Sequence, residues 1–84
     1  MTIHVKIYGV GSSSDKALYQ ALTQAAEELE DITLDIEKVT DINTILEEGV
    51  SAIPALSIEG HIITNGFVPT IAELKRMLVA WFLP

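Results

Sequence analysis

An 84-residue chain without a single cysteine has to be held together by its core. No disulfide can staple it and no thiolate can anchor a structural metal, the two devices on which very short chains commonly lean. The fold must therefore be one in which a few short elements bury their apolar faces against one another, around one core. An apolar fraction of 49% with 20% charged residues supplies that core and excludes a disordered or collagen-like chain. The same absence removes thiol catalysis from the available chemistry.

Charge narrows the partners. Twelve acids against five bases leave a net charge of −7. No extended basic surface is available to neutralise phosphates, so nucleic acid is not an expected partner. The longest uncharged stretches are broken by Pro54, or by Gly66 and Pro69, or run only from Met77 onward. None approaches the roughly 20 apolar residues of a membrane span. No basic segment followed by an apolar one opens the sequence, which makes the cytoplasm the expected compartment.

Hydrophobic periodicity orders the chain. Residues 3–8 alternate apolar and polar with β-branched enrichment and stop at Gly9, which predicts a strand. The small residues from Gly9 to Asp15 predict a turn into a helix, with Ser12 and Asp15 approximating a capping box. That helix is expected to run to about Leu29, with Leu18, Leu22, Ala25, Ala26 and Leu29 on its buried stripe. Thr33 to Val39 alternates again as a second strand, Leu34, Ile36 and Lys38 facing one way. Thr40 or Asp41 then caps a short helix carrying Ile42, Ile45 and Leu46, ended by Gly49 as a C′ glycine. Ala55–Glu59 and Ile62–Asn65 read as short strands joined by a hairpin at Gly60 and His61. Thr70 and Glu73 form a second capping-box pattern opening a last helix, lined on one face by Ile71, Leu74, Leu78 and Trp81.

The resulting order is β-α-β-α-β-β-α over one domain spanning 1–84, with no linker or repeat. A βαβ crossover makes the first two strands parallel. The predicted architecture is α/β, a four-stranded mixed sheet with helices on both faces.

This order, the turn after strand one, and Ala52-Ile53-Pro54-Ala55 before strand three together resemble a thioredoxin-like fold. More closely, the chain is similar to the small thioredoxin-like "redox-active disulfide" proteins. Those open with a strand and Gly-x-Gly-Cys-x-x-Cys, continue through Val-Thr-Asp-Ile, Gly-Val and a proline, and end with a Gly-centred hairpin and Gly-x-x-Pro. Here stand Gly9-Val10-Gly11, Val39-Thr40-Asp41-Ile42, Gly49-Val50, Ile53-Pro54, Glu59-Gly60 and Gly66-Phe67-Val68-Pro69. The resemblance spans essentially the whole chain. It departs where the family's chemistry lies, because the positions of the two cysteines hold Ser12 and Asp15. A serine hydroxyl without a base is a poor nucleophile, and a carboxylate cannot resolve a mixed disulfide. What carries over is the scaffold, not the exchange reaction.

Other chemistry at the serines has little support. A nucleophilic serine needs a base, usually histidine. His4 lies near the start of strand one and His61 at the hairpin, both expected at the pole opposite Ser12. Ser12, Ser13 and Ser14 read as helix cap and turn. An anion cradle at this helix N-terminus is opposed by Asp15, which already answers the helix dipole. The glycines lack the third glycine or the P-loop Lys-Ser of a nucleotide site. His4, His61 and Glu59 lack a clearly placed third or fourth metal ligand, so they read as solvated side chains. No metal and no cofactor is expected. The acids Glu27, Glu28, Glu30 and Asp31 at the end of helix one read as a solvated end.

Two features point to partners. The resemblance implies a cis Ile53–Pro54 bond beside the Ser12 turn, with the backbone of Ile53 free to pair with an extended peptide; alternatively Pro54 merely shapes the turn into strand three. A groove formed by Gly11, Ser12, Ser13, Ser14, by Ala52, Ile53, Pro54, and by Gly66 and Phe67 would accept such a segment. The C-terminal run from Met77 to Leu83 is apolar on every face. Val79, Phe82 and Leu83 either fold back on the sheet edge or join a homodimer. The leading expectation is a cysteine-less thioredoxin-like peptide-binding module. The alternatives are an oxidoreductase homologue in which Ser12 stands in for a natural cysteine, and a carrier of a small anion or metal.

Overall fold

The computed structural model describes residues 1–82, except the side chain of Phe82. Its elements are β1 (Thr2–Tyr8), α1 (Ser13–Glu27), β2 (Thr33–Val39), α2 (Ile42–Glu47), β3 (Ala55–Ile58), β4 (His61–Asn65) and α3 (Ile71–Phe82). The strands form one sheet in the order β2-β1-β3-β4. β1 and β2 are parallel, in register from Thr2 opposite Thr33 to Tyr8 opposite Val39. β3 runs antiparallel to both β1 and β4. This is the expected thioredoxin-like arrangement.

Alternation along β1 splits the interior into two layers. Ile3, Val5 and Ile7 pack with Leu18, Leu22 and Ala25 of α1, Leu56 and Ile58 of β3, and Leu74 and Leu78 of α3. Tyr8, Val39, Ala55, Val50 and Ile45 make a smaller cluster on the other face, beneath α2. β3 is buried along its full length, as the residues of a strand covered on both faces must be. Ala26 and Leu29, expected on the α1 stripe, are only half-buried.

Caps fix the element ends. Ser12 is the N-cap of α1, its hydroxyl accepting from Asp15 N–H while the Asp15 carboxylate accepts from Ser12 N–H. The second capping box closes in the same way, Thr70 N–H on Glu73 Oε1 at 3.0 Å and Glu73 N–H on Thr70 Oγ1 at 3.1 Å. Asp41, not Thr40, caps α2. At the other end of α2, Gly49 N–H bonds to Leu46 O and Val50 N–H to Ile45 O. That is a Schellman motif, with Gly49 at φ 88° and Val50 packed on Ile45.

One expectation about the elements needs correction. The hairpin loop is Glu59–Gly60, not Gly60–His61, and His61 already belongs to β4. Glu59 and Gly60 have φ of 49° and 83°, as a two-residue type I′ turn demands. In α2 only Ile45 is buried, while Ile42 and Leu46 face outward. A helix of six residues crossing a small apolar cluster presents one residue to it rather than a stripe.

Candidate functional site

The turn that follows β1 and the segment that precedes β3 meet at one pole. Tyr8, the last residue of β1, stands opposite Ala55, the first of β3. Residues 9–12 and 52–54 therefore leave the sheet side by side. Ala55 also faces Asn65, the last residue of β4, which brings the Gly66 turn to the same place. Gly66 N–H donates to Pro54 O at 2.8 Å, and Ser51 N–H donates to Asn65 Oδ1 at 3.2 Å. Gly66 has φ 83°, and a Cβ there would sit 2.9 Å from the Ala52 Cβ. The Ile53–Pro54 peptide bond is cis. Among the described residues no hydrogen bond engages the backbone N–H or C=O of Ile53.

The loop between β1 and α1 is held by Asp15. Its Oδ2 accepts from Gly11 N–H at 2.6 Å and from Ser12 N–H at 2.9 Å. The carboxylate lies directly over Gly9, in the space a Cβ at that position would need. Ser12, Ser13 and Ser14 are exposed. Ser12 acts as a cap, with Asp15 N–H on its Oγ at 3.3 Å.

Neither histidine approaches these serines. His4 Nδ1 meets Asp35 Oδ2 at 2.8 Å on the α2 face. His61 stacks on Trp81 of α3, ring centroids 5.2 Å apart, on the opposite face. The two rings, expected at one pole, are thus separated by the sheet. Val79 is half-buried, while the Phe82 side chain and Leu83, named for a dimer contact, lie outside the described residues.

Three features of this pole escaped sequence reasoning. Val10, 58% exposed, is a large apolar side chain on the loop after β1, and it joins Phe67, already expected in the groove and 51% exposed. A cavity of about 230 Å³ opens on the α1 side of the Asp15 turn and reaches Lys38 and Thr40 at the end of β2, rather than lying against Ile53. The third is a polar tie under the loop. The Tyr8 phenol donates to Glu48 Oε1 at 2.8 Å and lies 3.3 Å from Ser57 Oγ, while Lys6 Nζ donates to the same Glu48 oxygen at 3.1 Å. Burial is the main reason the Tyr8 phenol is pushed up.

That tie gives a pH dependence. The Glu48 carboxyl is held below its ordinary 4.5, first by the Tyr8 hydrogen bond and then by Lys6. Glu28, which joins α1 to Lys75 of α3 at 3.0 Å, is lowered by Lys75 and then Gln24, and Glu73 by the Thr70 backbone and then its side chain. Each group is more acidic folded than unfolded. Its contribution is present above 4.5 and is lost as the pH falls through the folded values. Thermal unfolding midpoints are therefore expected to fall on acidification below about pH 4.5. Glu48→Gln is expected to lower the midpoint at pH 7, with the gap to the parent narrowing at acid pH. A gap that does not change with pH would show that Glu48 carries no such charge.

A model of the Thioredoxin domain family matches residues 1–79. The chain belongs to this family. It is 32% identical over 74 residues to a thioredoxin of Methanothermobacter thermautotrophicus, covering 88% of this chain and 95% of the relative. It is 32% identical over 77 residues to a thioredoxin of Methanocaldococcus jannaschii, covering 92% of this chain and 87% of that protein. This thioredoxin-domain chain carries no cysteine. The turn in which the resemblance puts the cysteine pair is here a serine–aspartate capping box. Among the described residues no helix is long and apolar enough to cross a membrane.

Proposed function

We propose that this thioredoxin-domain protein is a binding module that takes an extended peptide or protein segment at the Ser12–Ile53 pole, without thiol exchange. The observation that carries the reading is the backbone of Ile53, unpaired two residues ahead of the buried strand β3, at the pole whose loops also carry exposed Val10 and Phe67. An added strand supplies the missing donor and acceptor, and side chains on one face of that strand rest on the two apolar residues. The groove residues are Gly11, Ser12, Ser13 and Ser14 on one wall, Ala52, Ile53 and Pro54 on the floor, and Gly66 and Phe67 on the other wall.

The chemistry follows from composition. Exchange requires a thiolate that attacks and a second thiol that resolves the mixed disulfide, and the chain has neither. Contact is therefore non-covalent and reversible. A short segment that orders on binding gives up part of its interaction energy to that ordering, so single sites of this kind are weak and fast.

Titration of the ¹⁵N-labelled chain with extended peptides of alternating apolar residues tests the reading. Saturable amide shifts are expected at Ser12, Ile53 and Gly66, with α1 and α3 undisturbed. A folded chain that shows none at those positions would refute it.

A further inference from the structure

The two faces of the sheet are covered unequally. α1 and α3 pack together over one of them, while the other carries only α2, a helix of six residues. Six residues of helix measure about 9 Å, against roughly 23 Å for the seven residues of β1. α2 therefore covers the Tyr8, Val39 and Ala55 end alone. Beyond it, the alternation of β1 and its register with β2 leave His4 beside Asp35 and Lys6 beside Glu37 on an open shelf.

α2 itself is only half partnered. Ile45 is buried, but Ile42 and Leu46 are 50% and 63% exposed. They stand four residues apart, so they share one side of the helix. Among the described residues no other helix or strand carries two exposed large apolar side chains. An apolar pair left open in this way marks a contact surface.

Charge says what kind of partner fits. Of twelve acids and five bases, α2, its cap and the shelf take Asp35, Glu37, Asp41, Glu47 and Glu48 against Lys6 alone. Lys6 is already spent on Glu48, and Asp35 is met by His4. Glu37 and Glu47 are exposed and make no ion pair among the described residues. The remaining bases, Lys16, Lys38, Lys75 and Arg76, belong to α1 and α3 or lean on them, Lys38 over the Tyr19 ring. A second copy offers this face no basic surface, because Glu27, Glu28, Glu30 and Asp31 crowd its other side. An anionic lipid surface is repelled by it.

We propose that the α2 face docks a basic amphipathic helix of a partner protein. Ile42 and Leu46 form a short ridge that sits between apolar side chains at i, i+3 and i+4 of that helix. Its lysines or arginines flank the ridge and meet Glu37 and Glu47. This surface does not rest on peptide binding at the Ser12–Ile53 pole, and different amides report on it.

The probe is a synthetic amphipathic helix of leucine and lysine alone, titrated into the ¹⁵N-labelled chain. Two controls replace every lysine with glutamate or every leucine with alanine. The probe is expected to give saturable shifts at Ile42, Leu46 and Glu47, leaving Ser12, Ile53 and Gly66 unmoved. Raising the salt from about 50 to 300 mM is expected to weaken it roughly tenfold. Ile42→Ser/Leu46→Ser is expected to cost at least about tenfold in affinity with little change in thermal midpoint, since neither side chain is buried. Glu37→Gln/Glu47→Gln, which touches no apolar contact, is expected to weaken binding about threefold and flatten the salt dependence. The acids at the end of α1 serve as an internal control, being a charged cluster without an exposed apolar pair. Shifts spread equally over Glu27, Glu28, Glu30 and Asp31 would reduce the contact to charge alone and overturn the proposal. So would equal binding of either control helix, or unchanged affinity in the serine variant. A concentration-dependent dimer abolished by Ile42→Ser/Leu46→Ser would put a second copy on this face instead.

Discussion

The Ser12→Cys/Asp15→Cys double variant is expected to reduce insulin disulfides faster than the dithiothreitol that recharges it, whereas Ser12→Cys alone is not. Ser12 is the exposed N-cap of α1, and its side chain already points over the first turn onto the Asp15 N–H. A thiol there faces the positive end of the helix, which lowers thiol pKa and raises the thiolate fraction near neutral pH. Position 15 lies one turn on, and residues three apart share a helix face. A thiol there can attack the mixed disulfide formed at position 12 and release the reduced substrate. The single variant lacks that resolving thiol, so it can be trapped as a mixed disulfide but cannot turn over. The double variant loses the Asp15 bonds to Gly11 and Ser12, a cost of about 1–2 kcal/mol by analogy with other caps. It is therefore expected to melt earlier than the parent while gaining activity. A folded double variant that forms its intramolecular disulfide yet reduces no insulin would show that more than the sulfur has been lost.

Gly9→Ala is expected to be the most damaging one-carbon change in the loop, costing about 2–3 kcal/mol. The added Cβ falls inside the volume of the Asp15 carboxylate. The carboxylate must leave, and Gly11 and Ser12 lose their acceptor at 2.6 and 2.9 Å. Asp15→Ala removes the same bonds directly, at about 1–2 kcal/mol. Because both changes act on one contact, they should not add. Once Asp15 is gone the alanine meets little resistance, and the double variant is expected to fall short of the sum by about 1 kcal/mol or more. Denaturant midpoints of the four chains measure this coupling. Additivity within a few tenths of a kcal/mol would mean that Gly9 matters for a reason other than the carboxylate above it.

These two positions mark what the sequence made legible. Both capping boxes follow from local hydrogen bonding between residues three apart, so Ser12–Asp15 and Thr70–Glu73 could be placed without knowing the tertiary structure. The Gly49 cap is equally local. The alternating strands and the βαβ order fixed the sheet, because period-two burial leaves few ways to pack four strands and three helices.

Burial within α2 was a different matter. Ile42 and Leu46 are as apolar as Ile45, and only the breadth of the cluster beneath decides which of them it accepts. The hairpin loop was displaced by one residue because Glu59, a residue with a side chain, occupies a positive φ usually left to glycine or asparagine. The Tyr8–Glu48–Lys6 tie joins positions forty residues apart, and no spacing rule reaches that far. The cavity did have a local sign. Lys38 follows Leu34 and Ile36 on one side of β2, and a charge at the third place of an apolar stripe marks either a solvated strand end or a layer left open. Sequence alone does not choose between those, because the choice depends on what α1 lays above it.

Peptide binding at this pole requires that Ile53 pair with the bound segment through its backbone. The direct measurement compares an extended peptide with the same peptide N-methylated at the residue that faces Ile53, each titrated into the labelled chain. Methylation removes one amide proton and leaves every side chain in place, so pairing through the strand edge predicts saturable Ile53 shifts for the first peptide and none for the second. Equal affinity for both peptides would contradict it.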